Sequence, residues 1–281
     1  MSVAFVLSGG ASLGAAQAGM VEALYERNIR PDLLVGTSVG AINAAFLASR
    51  PPTVETAHEL QRIWQRLRRS DVFPANPITA GLGMLGLRDH TVSAGALRQL
   101  IGRHLEFEHL QDAPVALHVI ASDALTGEEV RLSSGRAVDA IAASAAIPGV
   151  FPPVRWGSQL LADGAVANNT PLSHAAAIGA DRIIVLQAMG TPRLQRPPRS
   201  VAAAGMTAVA RILTRRLTDD LARYGTGAEL VILSAPDLGC VLPTDFGRAD
   251  DLIASGRRRA RASLRTTERR TRRVVTLRRA A

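Results

Sequence analysis

The sequence contains 281 residues with a mass of 29.7 kDa and a formal net charge of +9, enough for one large α/β domain or two smaller ones. Apolar residues make up 47% of the chain and 24 positions are glycine, which excludes a disordered chain and a coiled coil. All 33 basic residues are arginine, and the absence of lysine excludes P-loop, pyridoxal-phosphate and other Schiff-base sites.

The first fifty residues alternate between apolar strands and helices. Val3–Leu7 is an unbroken apolar run that predicts a buried parallel strand, and Ala15–Arg27 predicts a helix. Leu33–Val35 predicts a second buried strand, followed by an alanine-rich helix up to about Ser49. Because strand, helix, strand and helix follow one another closely, this region predicts a βαβ unit with a right-handed crossover.

The rest of the chain continues this alternation. Further strands are predicted at Val115–Ala121, Gln159–Ala162, Arg182–Gln187 and Leu230–Leu233. Further helices are predicted near Ala137–Ala145, Pro171–Ile178, Val201–Arg223 and Arg248–Leu264. The sequence therefore predicts one α/β domain over residues 1–264, with a mainly parallel central sheet and helices on both faces. An apolar, Gly- and Pro-rich stretch at Phe73–Leu87 and a Pro- and Arg-rich loop at Gly190–Ser200 break the pattern.

A G-x-S-x-G pattern, Gly36-Thr37-Ser38-Val39-Gly40, joins the second predicted strand to the next helix. The two glycines let strand and helix pass closely, so that Ser38 lies on a strained turn at the carboxyl edge of the sheet. The N-terminus of the helix points to the same place and favours developing negative charge. Ser38 is therefore a candidate nucleophile, although a strand-to-helix turn without catalysis gives the same five residues.

A second glycine-rich turn, Ser8-Gly9-Gly10-Ala11-Ser12-Leu13-Gly14, follows the first predicted strand. Its backbone N–H groups open onto the same edge of the sheet, where they can receive an oxyanion. A dinucleotide loop is the competing interpretation. The spacing G-G-x-x-x-G does not fit it, and the second strand ends in Gly36 where a ribose-binding acid is needed.

Asp163 follows an apolar strand, where a carboxylate is unfavourable unless it is hydrogen-bonded or functional. It is a candidate base for Ser38, and an Asp-Gly turn is the alternative explanation. His174 follows Asp163 in the order of a Ser–Asp–His triad, which makes a triad the rival arrangement. Because His174 lies within a predicted helix, the sequence favours a dyad of Ser38 and Asp163.

Four blocks together resemble the bacterial patatin-like phospholipase family. They are Ser8–Gly14, Gly36–Gly40, Ser144–Pro153, and Asp163–Ala165 with Asn168–Pro171 downstream. Their order and spacing match across residues 3–190. The resemblance implies an α/β fold distinct from the α/β-hydrolase fold, and hydrolysis of lipid acyl esters by a Ser–Asp dyad. It assigns the nucleophile to Ser38, the base to Asp163 and the oxyanion hole to the backbone of Gly9, Gly10 and Ala11.

Two positions depart from the family pattern. Ala11 stands where the third glycine of the loop is usual, and Leu13 stands where an arginine or lysine is usual. An isolated carboxylate with a pKa near 3.9 is a weak base. We therefore expect the oxyanion loop and the helix terminus to supply most of the barrier reduction.

Charge and apolarity mark two regions for membrane contact. Residues 1–256 contain 22 Arg and 23 acidic residues, whereas residues 257–281 contain 11 Arg and one acid, Glu268. Residues 265–281 are thus predicted to be an Arg-rich tail that adsorbs to anionic lipid or stays solvated, and nucleic-acid binding by the body lacks electrostatic support. Residues 73–95 are either an apolar flap at the mouth of the site or a buried connection.

The expected protein is a cytoplasmic hydrolase of lipid esters with peripheral membrane contact. No apolar stretch is long enough to span a membrane, and the glycines after the first strand interrupt any signal-peptide core. With Cys240 as the one cysteine, expected to be a small buried side chain, we predict no disulfide, metal or cofactor. A carboxylesterase or thioesterase for small soluble substrates and a catalytically silent lipid-binding protein remain alternatives.

Overall fold

The strands coincide with the apolar runs of the sequence. The computed structural model describes residues 1–74, 76–190, 201–224, 227–234 and 244–279, so that Cys240 and positions 191–200 of the predicted loop lie outside the described residues. The strands are β1 (Val3–Leu7), β2 (Leu33–Thr37), β3 (Ala116–Asp123), β4 (Glu129–Leu132), β5 (Val154–Trp156), β6 (Gln159–Asp163), β7 (Arg182–Leu186) and β8 (Glu229–Leu233). Every predicted strand is present, whereas β4 and β5 escape prediction because they are short and carry charged residues.

The strands form one sheet in the order β5-β6-β3-β2-β1-β7-β8, with β4 also paired to β3. Neighbouring strands are parallel throughout the run β3-β2-β1-β7-β8. Strands β4 and β6 run antiparallel to β3, and β5 runs antiparallel to β6. The mainly parallel sheet that the sequence predicts is confirmed, with an antiparallel addition at one side.

Helices cover both faces of the sheet. They are α1 (Ala15–Tyr25), α2 (Val39–Ala48), α3 (Val54–Arg66), α4 (Arg69–Val72), α5 (Pro77–Met84), α6 (Gly95–His104), α7 (Ala137–Ser144), α8 (Ala165–Asn168), α9 (Leu172–Ala177), α10 (Val201–Tyr224) and α11 (Ala249–Arg279). Alternate residues of β1 serve the two faces: Phe5 and Leu7 join the core under α1, α2, α3, α6, α7 and α11, and Ala4 and Val6 join the core under α9 and α10. The predicted two-sided architecture is confirmed.

The last helix is longer than predicted. It does not end at Leu264 but continues to Arg279, because arginine is a good helix former and neither glycine nor proline follows Leu264. Its first half packs closely on α1, where a Cβ at Gly19 would lie 2.0 Å from the Ile253 carbonyl oxygen. The buried Glu22 carboxylate accepts hydrogen bonds from Arg257 at 3.0 and 3.2 Å.

None of the described helices combines the length and apolarity that crossing a membrane requires.

Candidate active site

Ser38 lies on a sharp turn between β2 and α2. Its φ of 55° and ψ of −125° are unfavourable for a residue with a side chain. Such a turn needs close packing on both sides, since a Cβ at Gly40 would lie 2.2 Å from the Leu7 carbonyl oxygen and one at Gly36 would lie 2.6 Å from Ala41 Cα. Both glycines of the motif are thus required sterically, as predicted.

The geometry of β3 brings Ser38 and Asp163 together. Strand β4 occupies one edge of β3 from Val119 to Ser122, so β2 and β6 must share the opposite edge. On that edge Thr37, the last residue of β2, pairs with Ile120, and Asp163, the last residue of β6, pairs with Ala121. Because β2 and β6 run in opposite directions, they meet end to end, and the residues at their ends become neighbours.

The Ser38 hydroxyl donates a hydrogen bond of 2.7 Å to Asp163 Oδ2. The other carboxylate oxygen, Oδ1, accepts from the Ala165 N–H at 2.8 Å, so Asp163 also forms the turn that the sequence suggested. The side chain is buried. Burial raises the pKa of Asp163 from 3.8 to about 6, against the lowering effect of its hydrogen bonds to Ala165 and Ser38. The carboxylate is therefore a stronger base than the ordinary value near 3.9 suggests.

Ser144 bonds to the backbone of Ser38 and to that of Gly164, the residue after Asp163, although sequence analysis gave Ser144 no role. Its Oγ accepts from the Ser38 N–H at 2.8 Å and donates to the Ile120 carbonyl oxygen. The Ser144 carbonyl oxygen accepts from the Gly164 N–H at 3.1 Å. Since the Ser144 side chain is fully buried, it has no water to replace these partners. The signal was its presence in one of the four sequence blocks.

The glycine-rich turn lies beside Ser38, but its amides are not equivalent. A Cβ at Gly9 would lie 3.3 Å from Ser38 Cβ, which places the turn against the serine. The Gly9 N–H already donates to the Asn169 carbonyl oxygen at 3.0 Å, so this amide is engaged within the fold. Within the described part of the chain, the N–H groups of Gly10 and Ala11 have no protein acceptor.

Ala11 has a φ of 48°, a conformation that glycine adopts without strain. The residue that departs from the family pattern thus retains the backbone shape that a glycine would favour. The departure changes the local strain and leaves the amide in place.

His174 lies in α9, as predicted, and is not part of the Ser38–Asp163 contact. Its Nε2 is 3.0 Å from Nδ1 of His118, and the two rings meet edge to face. Burial lowers the pKa of both imidazoles, that of His118 to about 4. Within the described residues, no hydrogen bond or ion pair joins His174 to Ser38 or Asp163, and both carboxylate oxygens of Asp163 have other partners.

A largely apolar pocket begins at Ser38 and has an empty volume of about 830 Å³, its open mouth included. Three helices supply side chains at i, i+3, i+4 and i+7 spacing, the pattern of one helical face. They are Val39, Ile42, Asn43 and Phe46 of α2, Leu60, Ile63 and Trp64 of α3 with Leu67 beyond its end, and Leu97, Leu100, Ile101 and His104 of α6.

An aromatic row crosses the pocket wall, although aromatics form only 4% of the chain. Trp64 stacks on Phe246 with centroids 6.3 Å apart, Phe246 contacts Phe73 at 6.2 Å, and Phe73 stacks on Phe151 at 5.4 Å. All four line the pocket. The scarce aromatic residues are thus concentrated around one cavity, which gives it large and rigid apolar walls.

Comparison with known proteins gives a consistent result. A family model described as Patatin-like phospholipase matches residues 5–176. The uncharacterized NTE family protein Rv1063c of Mycobacterium tuberculosis is 31% identical over 191 residues, covering 67% of this chain and 49% of that protein. Lysophospholipase NTE1 of Mycosarcoma maydis is 26% identical over 192 residues, covering 66% of this chain and 10% of that protein.

Among solved structures, VipD from Legionella pneumophila has a TM-score of 0.47 and 16% identity, over 93% of this chain and 67% of that chain. This chain spans less than half the length of the curated relatives named here. The family match covers more than half of the chain, from β1 into α9. The chain belongs to the patatin-like phospholipase family.

Proposed function

We propose that the chain is a serine acyl-ester hydrolase acting on lipids, of the phospholipase A or lysophospholipase type. The observation that carries the proposal is the 2.7 Å hydrogen bond to Asp163 from Ser38, which lines an apolar pocket. A nucleophile within hydrogen-bond reach of its base is the arrangement that acyl transfer requires. The name of Lysophospholipase NTE1, one of the relatives, agrees with this substrate class.

In the proposed reaction Ser38 Oγ attacks the acyl carbonyl carbon while its proton moves to Asp163 Oδ2. The tetrahedral intermediate then collapses, the carbon–oxygen bond to the leaving alcohol breaks, and Asp163 returns the proton to that oxygen. In the second half, Asp163 accepts a proton from water as the water oxygen attacks the acyl-serine, and the proton goes back to Ser38 as the fatty acid leaves. The carboxylate is restored at the end of each half.

The amides of Gly10 and Ala11 are proposed as the oxyanion donors, together with the N-terminus of α2. Two other amides near the serine are already used, because Gly9 donates to Asn169 and Ser38 donates to Ser144. The removal of one oxyanion donor costs about 10²–10³ in kcat in serine hydrolases. The raised pKa of Asp163 makes its carboxylate a better general base, so proton transfer contributes more to catalysis than the sequence analysis expected.

The lining of the pocket supports a fatty acyl group over a small polar acid. Its contact surface comes from aliphatic and aromatic side chains, and Ser38, Asn43 and His104 are the polar exceptions. The Asn43 side chain is already engaged, with its Nδ2 on Gln17 and its Oδ1 on the Trp64 indole. With Asn43 engaged, the polar groups left in this lining are the Ser38 hydroxyl and the His104 imidazole, which offers little to a charged or hydroxylated acyl chain.

The decisive experiment combines labelling and turnover. A fluorophosphonate probe should label the wild-type chain at Ser38, and Ser38→Ala should remove both labelling and hydrolysis of a series of esters with acyl chains of increasing length. Ser134→Ala, at an exposed serine, should change neither, and His174→Ala should keep turnover within a few-fold. An unlabelled wild-type chain, or a His174→Ala chain that is folded but inactive, would reject this assignment.

The Arg-rich tail, residues 265–281, is proposed to contact anionic lipid from the cytoplasmic side. Arg257 and Arg261, just before the tail, are paired with Glu22 and Glu26, so these two arginines already have partners within the fold. Truncation after Leu264 should therefore weaken binding to anionic vesicles without changing hydrolysis of a monomeric ester. Equal vesicle binding by the truncated and full chains would remove the tail from this role.

A further inference from the structure

Helix α5 and the residues that follow it expose large apolar side chains. Ile78 is 75% exposed, and beyond the helix Leu85 and Leu87 are 74% and 69% exposed. In contrast, Thr79 is buried, and Gly83 faces the protein so closely that a Cβ there would lie 2.5 Å from the His90 carbonyl oxygen. Within the helix Leu82 is half-buried, so the exposed apolar surface consists of Ile78 near its start and of Leu85 and Leu87 beyond its end.

Local hydrogen bonds fix the start of helix α5. The Asn76 side chain caps the helix by accepting from the N–H groups of Ile78 and Thr79, and Pro77 occupies the first turn. Three large apolar side chains within ten residues make a cluster, which differs from the single exposed apolar residues that most surfaces carry. We name residues 76–88 the apolar flap.

The apolar flap is tied to the pocket at both ends. Before it, Val72 and Phe73 line the pocket, and Phe73 stacks on Phe151. After it, the N–H groups of Thr91 and Val92 donate to the Val150 carbonyl oxygen, next to Phe151. Whatever surface covers the flap is therefore brought to the wall of the pocket.

Charge indicates what that surface is. Residues 62–90 contain five arginines and two acidic residues, although residues 1–256 as a whole carry more acid than base. Within the described residues, no acid forms a salt bridge with Arg66, Arg69 or Arg88, and all three are exposed. Exposed apolar side chains with Arg88 next to them and further arginines upstream in the sequence match an anionic lipid surface, in which the former enter the acyl region and the latter contact headgroups.

We infer that the apolar flap inserts into the surface of an anionic bilayer and holds the mouth of the pocket against it. The inference deepens the proposed function by naming the bilayer surface as the place where the chain meets its lipid substrate. It rests on the proposed function only for the hydrolysis that follows bilayer binding. None of Ile78, Leu85 and Leu87 lines the pocket, so the flap contributes to lipid contact and not to the reacting centre.

The test compares two sets of serine substitutions by co-sedimentation with vesicles of phosphatidylcholine containing phosphatidylglycerol. A variant with Ile78→Ser, Leu85→Ser and Leu87→Ser should bind these vesicles roughly tenfold or more weakly than wild type. The matched control carries Val209→Ser and Ile212→Ser on α10, whose side chains are 53% and 66% exposed, and should bind as wild type. Hydrolysis of a monomeric short-chain ester should be the same in all three proteins.

A second measurement reports insertion directly. Tryptophan fluorescence of Leu85→Trp should shift to shorter wavelength on these vesicles, and that of Ile212→Trp should not. Undiminished vesicle binding by the flap variant, or an equal loss of binding in the control, would overturn the inference. So would sedimentation of the wild-type chain as a dimer and of the flap variant as a monomer, because a second copy of the chain would then cover the flap. If no ester is hydrolysed by any variant, the proposed function fails, and vesicle binding still decides the inference.

Discussion

Asp163→Asn should make the protein more stable while it abolishes turnover. The folded state raises the pKa of Asp163 from 3.8 to about 6 because the carboxylate is buried. Above pH 6 the group is ionised in both states, and the rise corresponds to about 3 kcal/mol that disfavours folding. Below pH 3.8 the group is protonated in both states, and this contribution disappears.

Asparagine can keep both hydrogen bonds of the carboxylate. Its Oδ1 accepts from the Ala165 N–H, and its Nδ2 donates to a rotated Ser38 hydroxyl. The substitution thus removes the buried charge without orphaning a buried partner. We expect a gain of about 1–3 kcal/mol in the free energy of unfolding at pH 8, which is roughly 2–10 °C in Tm for a chain of this size.

The assay is denaturant unfolding of wild type and Asp163→Asn at pH 8 and at pH 4.5. The difference in stability should be large at pH 8 and shrink toward pH 4.5, since wild-type Asp163 gains a proton in the folded state on the way. Asp123→Asn is the matched control, because hydrogen bonds from Leu125 and Thr126 lower the pKa of that exposed carboxyl and reverse the sign. A destabilised Asp163→Asn at pH 8, or a gain that does not depend on pH, refutes the reasoning.

Four further outcomes follow from the site. The kcat/KM for a soluble ester should fall as pH drops through about 6, where Asp163 takes up a proton, and a flat profile to pH 4.5 would exclude it as the base. Ser144→Ala should lower kcat roughly tenfold or more with little change in KM, since it frees the backbone of the turn, whereas the equally buried Ser49→Ala should leave kcat unchanged. Ala11→Gly should raise the unfolding free energy by up to about 1 kcal/mol by relieving its positive φ, and a loss of stability would show that the strain is absent. Ile42→Phe should narrow the pocket one turn beyond the nucleophile and reduce turnover of long-chain esters while acetate esters react normally, and equal loss for both would place the acyl chain elsewhere.

Much of the fold could be predicted because it depends on local patterns. The apolar runs of β1 and β2 and the glycines around Ser38 are short-range signals, and steric contacts in the structure explain why those glycines are needed. Part of the pocket lining also follows a local pattern that could have been recognised in the sequence. Leu60, Ile63 and Trp64 follow helical spacing in α3, a helix that the prediction omitted.

The contact between Ser38 and Asp163 could not be derived from local patterns. It depends on β6 running antiparallel along the same edge of β3 as β2, just beyond the point where β2 ends, which is a property of strand pairing across more than a hundred residues. Nor could the sequence reveal which amides of the glycine-rich turn remain free. That distinction depends on Asn169, whose carbonyl oxygen takes the Gly9 N–H from another part of the chain.

Features that lower stability are concentrated around one pocket. Ser38 and Ala11, both pocket-lining, have positive φ angles, Asp163 is a buried carboxyl beside the former, and the apolar flap joins the pocket wall. Elsewhere a buried charge such as Glu22 is paired with arginine, and the strands alternate between two cores. Local rules that fail together at one place indicate a site maintained for function. The strained serine, the buried base and the exposed apolar flap are each unfavourable for folding; in the proposed function the first two carry out the reaction and the flap contacts lipid.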